Sequence, residues 1–283
     1  MILYKYLPPG RFDVLKYKQV RFTEPALFND PFESVIAISS FGPDSDVLPA
    51  ILKRFDDIDP AEWDRDRLQD GIDLSLSEFK EYIHQNPERA LEEFRKFEPS
   101  ALDDQRKKLH DLINNAVGVL SLSEKHDSLL MWAHYADHHR GFVLGLDSND
   151  AFFTPKTEED EPIRVLKRII YTRDRPSIRL SEANTQALFL HKSEEWTYEA
   201  EWRYLRYLSD ADSTKTEQGQ EIFLFNVPAS CFARIIFGCR MRPEVKQQFN
   251  ELLSLHPSLR HVKVYQASLD RERYQLRFEE MTL

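Results

Sequence analysis

The densest group of chemistry-bearing side chains in this sequence is Trp196-Thr197-Tyr198-Glu199-Ala200-Glu201-Trp202-Arg203-Tyr204. Alternation along a β-strand would place Glu199, Glu201 and Arg203 on one side and Ala200, Trp202 and Tyr204 on the other. Two carboxylates about 7 Å apart on one face, flanked by a guanidinium, suit acid–base work or the stabilisation of a developing cation. On a helix the same i, i+2 carboxylates would diverge and the array would be lost. The plainer reading is a salt-bridged or solvated strand face. The Trp and Tyr side chains crowded around the charges favour a site, and Glu199 and Glu201 are its catalytic candidates.

Two further segments share this polar-aromatic character. In Phe28-Asn29-Asp30-Pro31-Phe32-Glu33, the short Asn and Asp side chains before a proline suit a turn. Pro31 also pushes Asp30 into extended backbone. The corner is either a rigid anchor held by Phe28 and Phe32, or it presents Asn29, Asp30 or Glu33 to a ligand. The other segment begins at Ser121-Leu122-Ser123, where both serines project from one strand face. It continues into a helix expected over residues 128–137, with Asp127 or Ser128 as N-cap and Gly141 as the stop. Trp132 and Tyr135, three apart, share a helix face and either pack together or stack on a base or sugar. His134 and His138 stand at the i, i+4 spacing of a helical metal pair. A third ligand at metal-like spacing is missing, and histidine near a helix C-terminus is favoured by the dipole in any case. No metal site is assigned. Asn29, Asp30, Ser121, Ser123, Trp132, His134, Tyr135 and Arg203 are the candidate substrate-binding residues, expected to converge with the two glutamates.

The elements that must position these residues read as α+β. Short strands are expected at residues 3–6, 20–23, 35–39, 119–123, 142–146, 165–171, 199–207, 222–227, 234–237, 262–265 and 274–278. Short helices are expected at 12–17, 128–137, 181–195 and 243–255. Between about residues 46 and 117 the apolar residues recur at spacings of three and four, as in Leu102, Leu109, Leu112, Ile113 and Val117, which is amphipathic helix periodicity. Pro60, Pro87 and Pro99 are expected at helix starts, where the missing N–H costs little. The expected architecture is a single domain over residues 1–283, with a mixed, largely antiparallel sheet and a helical insertion at about 46–117.

Composition narrows the function classes. A net charge of −10 argues against non-specific binding along nucleic-acid backbones, which needs clustered Lys and Arg, though it leaves open one local basic patch. A small nucleotide is not excluded. Only 8 glycines are present, and neither common phosphate-binding glycine loop occurs. No run is long and apolar enough to span a bilayer, and the opening residues are soon broken by Pro8-Pro9-Gly10. No membrane partner and a cytoplasmic location are therefore expected. Cys231 and Cys239 read as reduced core thiols. Nothing in the sequence speaks to oligomeric state.

At the three polar-aromatic segments the chain resembles a bacterial family, the domain-of-unknown-function family numbered 2971. The resemblance rests on Leu3-Tyr4-Lys5-Tyr6, on Phe28 to Glu33, on Leu120-Ser121-Leu122-Ser123 with Met131 to Ala136 and Gly141-Phe142, and on Trp196 with Tyr198 to Arg203. It names no activity. The chain is also similar to ADP-ribosyltransferases of the Arg–Ser–Glu type, in which an early basic residue, a Ser-x-Ser strand and a Glu-x-Glu segment follow in that order. Here Lys5 or Arg21, Ser121-Leu122-Ser123 and Glu199-Ala200-Glu201 take those places, with Leu122 where that family carries threonine. That likeness implies NAD as the candidate substrate, with Glu201 holding the nicotinamide ribose. Ser121 and Ser123 would support the NAD site, and Glu199 would meet the acceptor. Two other readings stay open. One is a metal-dependent hydrolase or nuclease using Asp30, Glu199 and Glu201. The other is a ligand- or protein-binding module of a bacterial defence or sensing system.

Overall fold

The computed structural model describes residues 1–33, 37–61, 63–64, 74–154, 163–182 and 189–281. The chain divides into two compact units: Met1–Val35 with Leu112–Arg175 and Thr185–Leu283, and Ile36–Asp111 with Pro176–Asn184.

The first unit is built on an eight-stranded sheet. Its order runs β15 (Leu276–Met281), β14 (Lys263–Leu269), β13 (Phe232–Phe237), β5 (Phe142–Asp147), β1 (Ile2–Leu7), β4 (Val117–Ser123), β10 (Glu201–Tyr207) and β6 (Leu166–Arg168). Every neighbouring pair is antiparallel except β13 and β14, which a helix over Pro243–Leu255 joins as a crossover. This is the expected α+β class with a mixed, largely antiparallel sheet.

Side-chain alternation gives the sheet two different faces. Leu3, Leu7, Leu120, Leu122, Leu144 and Leu146 pack on one side with Phe249 and Leu253 of the crossover helix. The other side carries Tyr4, Tyr6, Val143 and Ile236 beneath Trp132. Trp132 belongs to the helix Leu129–Tyr135, is fully buried, and meets Tyr6 edge-on with ring centroids 5.5 Å apart. Ser128 caps that helix by accepting the Met131 N–H at 3.4 Å.

The helix ends two residues earlier than expected. Asp137, His138 and His139 have left-handed backbone (φ 47, 53 and 69°), so His138 lies beyond the helix and the i, i+4 relation to His134 is lost. Gly141 then passes against β1, where an added Cβ would lie 2.1 Å from the Leu7 carbonyl oxygen. The tight approach of two backbones, rather than a helix cap, is what requires glycine here.

A three-stranded sheet, β11 (Ser213–Glu217), β12 (Gln220–Asn226) and β2 (Gln19–Phe22), meets β4 through a bridge between Thr23 and Val119. One edge of β4 is therefore paired throughout with β10. Its other edge is shared: Ser123 pairs with Tyr4 of β1, and Val119 with Thr23 beyond β2. Between those two points β1 and β2 part.

Several local expectations change. The strand expected at 165–171 is two, β6 and β7 (Ile170–Thr172), interrupted at buried Ile169, whose N–H donates to the Glu201 carbonyl. Of the helix expected at 181–195, residues 183–188 lie outside the described residues; on either side of them the chain forms a 3-10 turn over Leu180–Glu182, a strand β9 (His191–Ser193) parallel to β7, and a second 3-10 turn over Glu194–Glu199. The three-residue pairing of β9 with β7 takes the backbone groups that a helix would have used.

The second unit spans Ile36–Asp111 and Pro176–Asn184. It contains helices over Asp44–Asp56 and Leu76–Gln85, most of a long helix Pro87–Ala116, and a parallel pair of β3 (Ala37–Ser40) and β8 (Ser177–Arg179). Of the strand expected at 35–39, residues 35 and 36 lie outside the described residues. Ser75 and Glu78 form a reciprocal capping box. Pro87 opens its helix as expected, and Asp59 before Pro60 accepts the Ala61 N–H at 2.7 Å. Pro99 does not start a helix but lies inside one. The cost is one missing hydrogen bond within a 30-residue helix whose apolar face continues on both sides of it.

Replacing Gly141 by alanine is expected to destabilise the first unit by about 1–3 kcal/mol or more, because two backbones would have to separate. Urea denaturation followed by tryptophan fluorescence measures this, and an unchanged midpoint would contradict the packing described.

Candidate functional site

The β4–β10 register sets Ser123 opposite Glu201 and Ser121 opposite Arg203. All four side chains therefore leave the sheet on one face, the face that also carries Tyr4 through its pairing with Ser123. Where β1 and β2 part, a cleft of about 260 Å³ opens over β4. Asn29, Ser121, Tyr135, Glu199 and Glu201 line it, together with Lys5, Glu33 and Lys192.

Glu199 reaches this place by a route that strand alternation does not describe. The expected strand from Glu199 begins only at Glu201. Glu199 closes a 3-10 turn, and Ala200 after it is left-handed (φ 43°). Ser123 Oγ donates to the Glu199 carbonyl at 2.5 Å and fixes the turn against β4. The two carboxylates are neighbours because a turn folds back, not because they share a strand face.

The charges are interlocked. Lys192 Nζ lies 2.6 Å from Glu199 Oε2, 3.1 Å from Glu201 Oε2 and 2.8 Å from Glu33 Oε1. Arg203 donates from Nε to Glu201 Oε1 at 2.8 Å, from Nη2 to Glu33 Oε1 at 2.9 Å, and from Nη1 to the Phe189 carbonyl at 2.6 Å. Phe28 lies under the Arg203 guanidinium and Trp196 under the Lys192 ammonium. All five charged groups are buried, Arg203 to 1 % exposure.

Burial would raise the Glu201 pKa, but Arg203 and Lys192 outweigh it and hold that carboxyl down at about 2. Burial wins at Glu33, whose pKa lies above the usual carboxylate range despite Arg203 and Lys192. Lys192 is pushed up: burial works against its charge, yet Glu201, Glu33 and Glu199 together prevail. Lys5, at the cleft edge, donates to the Ser121 carbonyl at 3.0 Å. Burial lowers its pKa to about 8, only partly opposed by Glu201. Above the network runs a relay of neutral groups. Asn29 Nδ2 donates to the Tyr135 hydroxyl at 3.1 Å, and that hydroxyl donates to Glu199 Oε1 at 2.6 Å. Burial and Glu199 both push the Tyr135 pKa up, so it stays a donor.

Five of the ten expected site residues thus meet at the cleft, and five take other places. Asp30 is buried and accepts the Phe32 N–H at 2.9 Å, shaping the corner. Ser123 is buried against Glu199. Trp132 lies in the core with its indole N–H donated to the His126 carbonyl at 2.8 Å. Arg203 sits within the ion network and His134 is exposed, 6.3 Å from the Tyr198 ring. Because Asp30 does not line the cleft, the trio Asp30, Glu199 and Glu201 is not gathered. Among the described residues no group of three His, Cys, Asp or Glu side chains is arranged to hold a metal ion.

Part of this site falls within a segment that matches a known family. Residues 131–204 match the family model described as a protein of unknown function, DUF2971. The DUF2971 segment runs from the Trp132 helix to β10 and includes Tyr135, Lys192, Glu199, Glu201 and Arg203. No curated protein and no solved structure gives a significant match to the chain. Within the DUF2971 segment, Lys192 was missed because His191-Lys192-Ser193 reads as part of a polar helix. Its short strand is visible only through pairing with β7. Tyr171 was missed as well; its hydroxyl accepts the Glu201 N–H at 2.8 Å.

Arg203→Met removes one partner from a buried pair and leaves Glu33 and Glu201 without their guanidinium. A loss of about 3–5 kcal/mol in urea unfolding is expected. The pH dependence has a definite sign. The Glu201 pKa in the folded chain is depressed from 4.5 to about 2, so its stabilisation is complete above about pH 4.5 and is lost as pH falls towards 2. Glu201→Gln should flatten the acid limb of the stability profile across that window. An acid limb identical in the two proteins would exclude this assignment.

Proposed function

We propose that the cleft binds the ribosyl part of a nucleotide and acts at its glycosidic bond, with NAD as donor, by ADP-ribosyl transfer or by hydrolysis. The observation that carries this reading is the adjacency of β1, β4 and β10. It brings Lys5, Ser121 and the pair Glu199 and Glu201 to one cleft, in the chain order of basic residue, Ser-x-Ser and Glu-x-Glu. Lys5, not Arg21, is the basic residue at the cleft. A volume of about 260 Å³ suits a ribose-sized group, with the rest of the nucleotide outside, since pockets that enclose drug-sized ligands hold about 300–1,000 Å³.

In this reading the bond from the ribose anomeric carbon to the nicotinamide nitrogen breaks, and its electron pair leaves with nicotinamide. Positive charge grows on the ribose. Glu201 is a poor proton acceptor with a pKa near 2, but it keeps its negative charge at any working pH, which is what such a transition state needs. Glu199, Tyr135 and Asn29 would hold ribose hydroxyls by exchanging partners within their relay. Lys5 would face the phosphate side. Water or an acceptor group then attacks the anomeric carbon and loses a proton.

Nicotinamide release from NAD by the purified protein tests this, with and without nucleophilic acceptors. Glu201→Gln should lower the rate by about 10²–10³-fold, the usual effect of removing one electrostatic stabiliser, with circular dichroism unchanged. Release that Glu201→Gln leaves untouched sinks the assignment. A second reading has its own support: the hydrogen-bonding groups of Arg203 and Glu201 are largely used within the protein, which suits a binding module of a defence or sensing system. Nucleotide-dependent thermal stabilisation without turnover would favour that module.

A further inference from the structure

The helical unit holds a second and larger cavity, of about 920 Å³, whose lining is far more apolar than that of the cleft. Val47, Ile51 and Phe55 of the helix Asp44–Asp56 form one wall. Phe79 and Ile83 of Leu76–Gln85 and Phe94 of Pro87–Ala116 form the others. The walls are fixed independently of any contents. Phe41 meets Phe94 edge-on at 5.5 Å, Phe55 meets Phe79 at 5.4 Å, and Arg95 ties its helix to Asp44 and to the Gly42 carbonyl. The space is open to solvent, with Ala50, Tyr82 and Phe97 of its lining exposed, so apolar surface there meets water, and that favours an apolar occupant.

Four charged residues also border the cavity. Glu93 is paired with Lys96 at 2.6 Å, and Asp46 accepts a hydrogen bond from Ser45 at 3.0 Å. Arg54 and Arg89 make no ion pair or hydrogen bond among the described residues. Asp46 has only a neutral hydroxyl partner, so two unpaired guanidiniums stand against one unpaired carboxylate and the balance at the border is positive; guanidinium pairs well with a carboxylate. We propose that this cavity binds a long-chain carboxylic acid, its alkyl chain among the phenylalanines and its carboxylate between Arg54 and Arg89. An alkyl chain fits better than a rigid polar ring system because most of the lining is aliphatic or phenylalanine, and its polar groups among the described residues, Tyr82, Ser181 and the four charges, are all exposed.

The test is a fluorescence titration of the full-length protein with cis-parinaric acid, followed by displacement with unlabelled oleic acid, the alcohol of the same chain length and the corresponding amine. Saturable binding is expected, with the alcohol and the amine each displacing about ten-fold less well than the acid or worse. Arg54→Glu with Arg89→Glu, both exposed substitutions, should weaken the acid about ten-fold or more and leave the alcohol nearly unchanged. Ala50→Trp, which fills the cavity from the Asp44–Asp56 helix, should abolish uptake with the helical circular dichroism retained. No saturable binding, equal displacement by acid and amine, or uptake indifferent to all three substitutions would overturn the proposal. So would concentration-dependent self-association without uptake that Ala50→Trp abolishes, since the cavity would then be a protein contact.

Discussion

A charged group removed from water must find an opposite charge or lose its ionisation, and five groups of this chain meet that demand together. Lys192 and Arg203 hold Glu33, Glu199 and Glu201 at distances of 2.6–3.1 Å, all below a tenth exposure. No single strand or turn could supply them. Glu33 comes from the corner after Phe28, Lys192 from β9, Glu199 from a 3-10 turn, and Glu201 and Arg203 from β10. The network joins segments that are 170 residues apart in sequence. Apolar side chains of equal volume could stabilise such a centre as well or better, since desolvation offsets most of the Coulomb gain. What an ion network adds is directionality, because each carboxylate oxygen has a specified partner and the turn bearing Glu199 has one place to sit.

The same constraint explains why the site is at β4. A strand paired along both edges presents only side chains, and its backbone is out of reach. Here the outer edge of β4 is divided between Tyr4 and Thr23, and between them the Ser121 carbonyl accepts from Lys5 instead of from a strand. A sheet that splits over one strand leaves room for a ligand without leaving a buried backbone group unpaired. Lys5 thereby fills a structural need, and the same contact brings an ammonium of lowered pKa into the lining of the cleft.

The sequence carried the local part of this arrangement and lost the long-range part. Helix spacing and the proline at residue 87 pointed to helix in the second unit; alternation gave β4, β5 and β10 to within two residues. The convergence of Asn29, Tyr135 and Glu199 was legible only as a shared density of polar and aromatic residues in three segments. Arg203 and Trp132 were assigned to the ligand, and they lie beneath the cleft. A Trp or Arg that binds a ligand and one that packs the layer below it have the same spacing in sequence, and only the choice of sheet face with its covering helix separates them. Lys192 was invisible for a different reason: a three-residue parallel strand is too short for any periodicity, and exists because β7 is beside it. Glu199 shows the third limit. A strand and a 3-10 turn with a left-handed exit both bring residues 199 and 201 together, and one residue, Ala200 at φ 43°, decides between them.

The network also sorts the chemistry open to each carboxylate. Glu201 has Arg203 on one oxygen and both cations on the other, with the Ser121 hydroxyl as its one neutral partner among the described residues, so a ligand donor could replace only that serine without displacing a cation. Its contribution to a reaction is therefore its field. Glu199 has one oxygen on Lys192 and the other on a neutral phenol. A ligand hydroxyl can replace that phenol at little electrostatic cost, because one neutral donor is exchanged for another. A fixed charge beneath and an exchangeable acceptor above are the minimum for holding a polyhydroxylated group while positive charge develops on it. They would serve equally to recognise such a group and leave it intact. The difference between the two outcomes lies in whether the bound atom that gains positive charge faces Glu201.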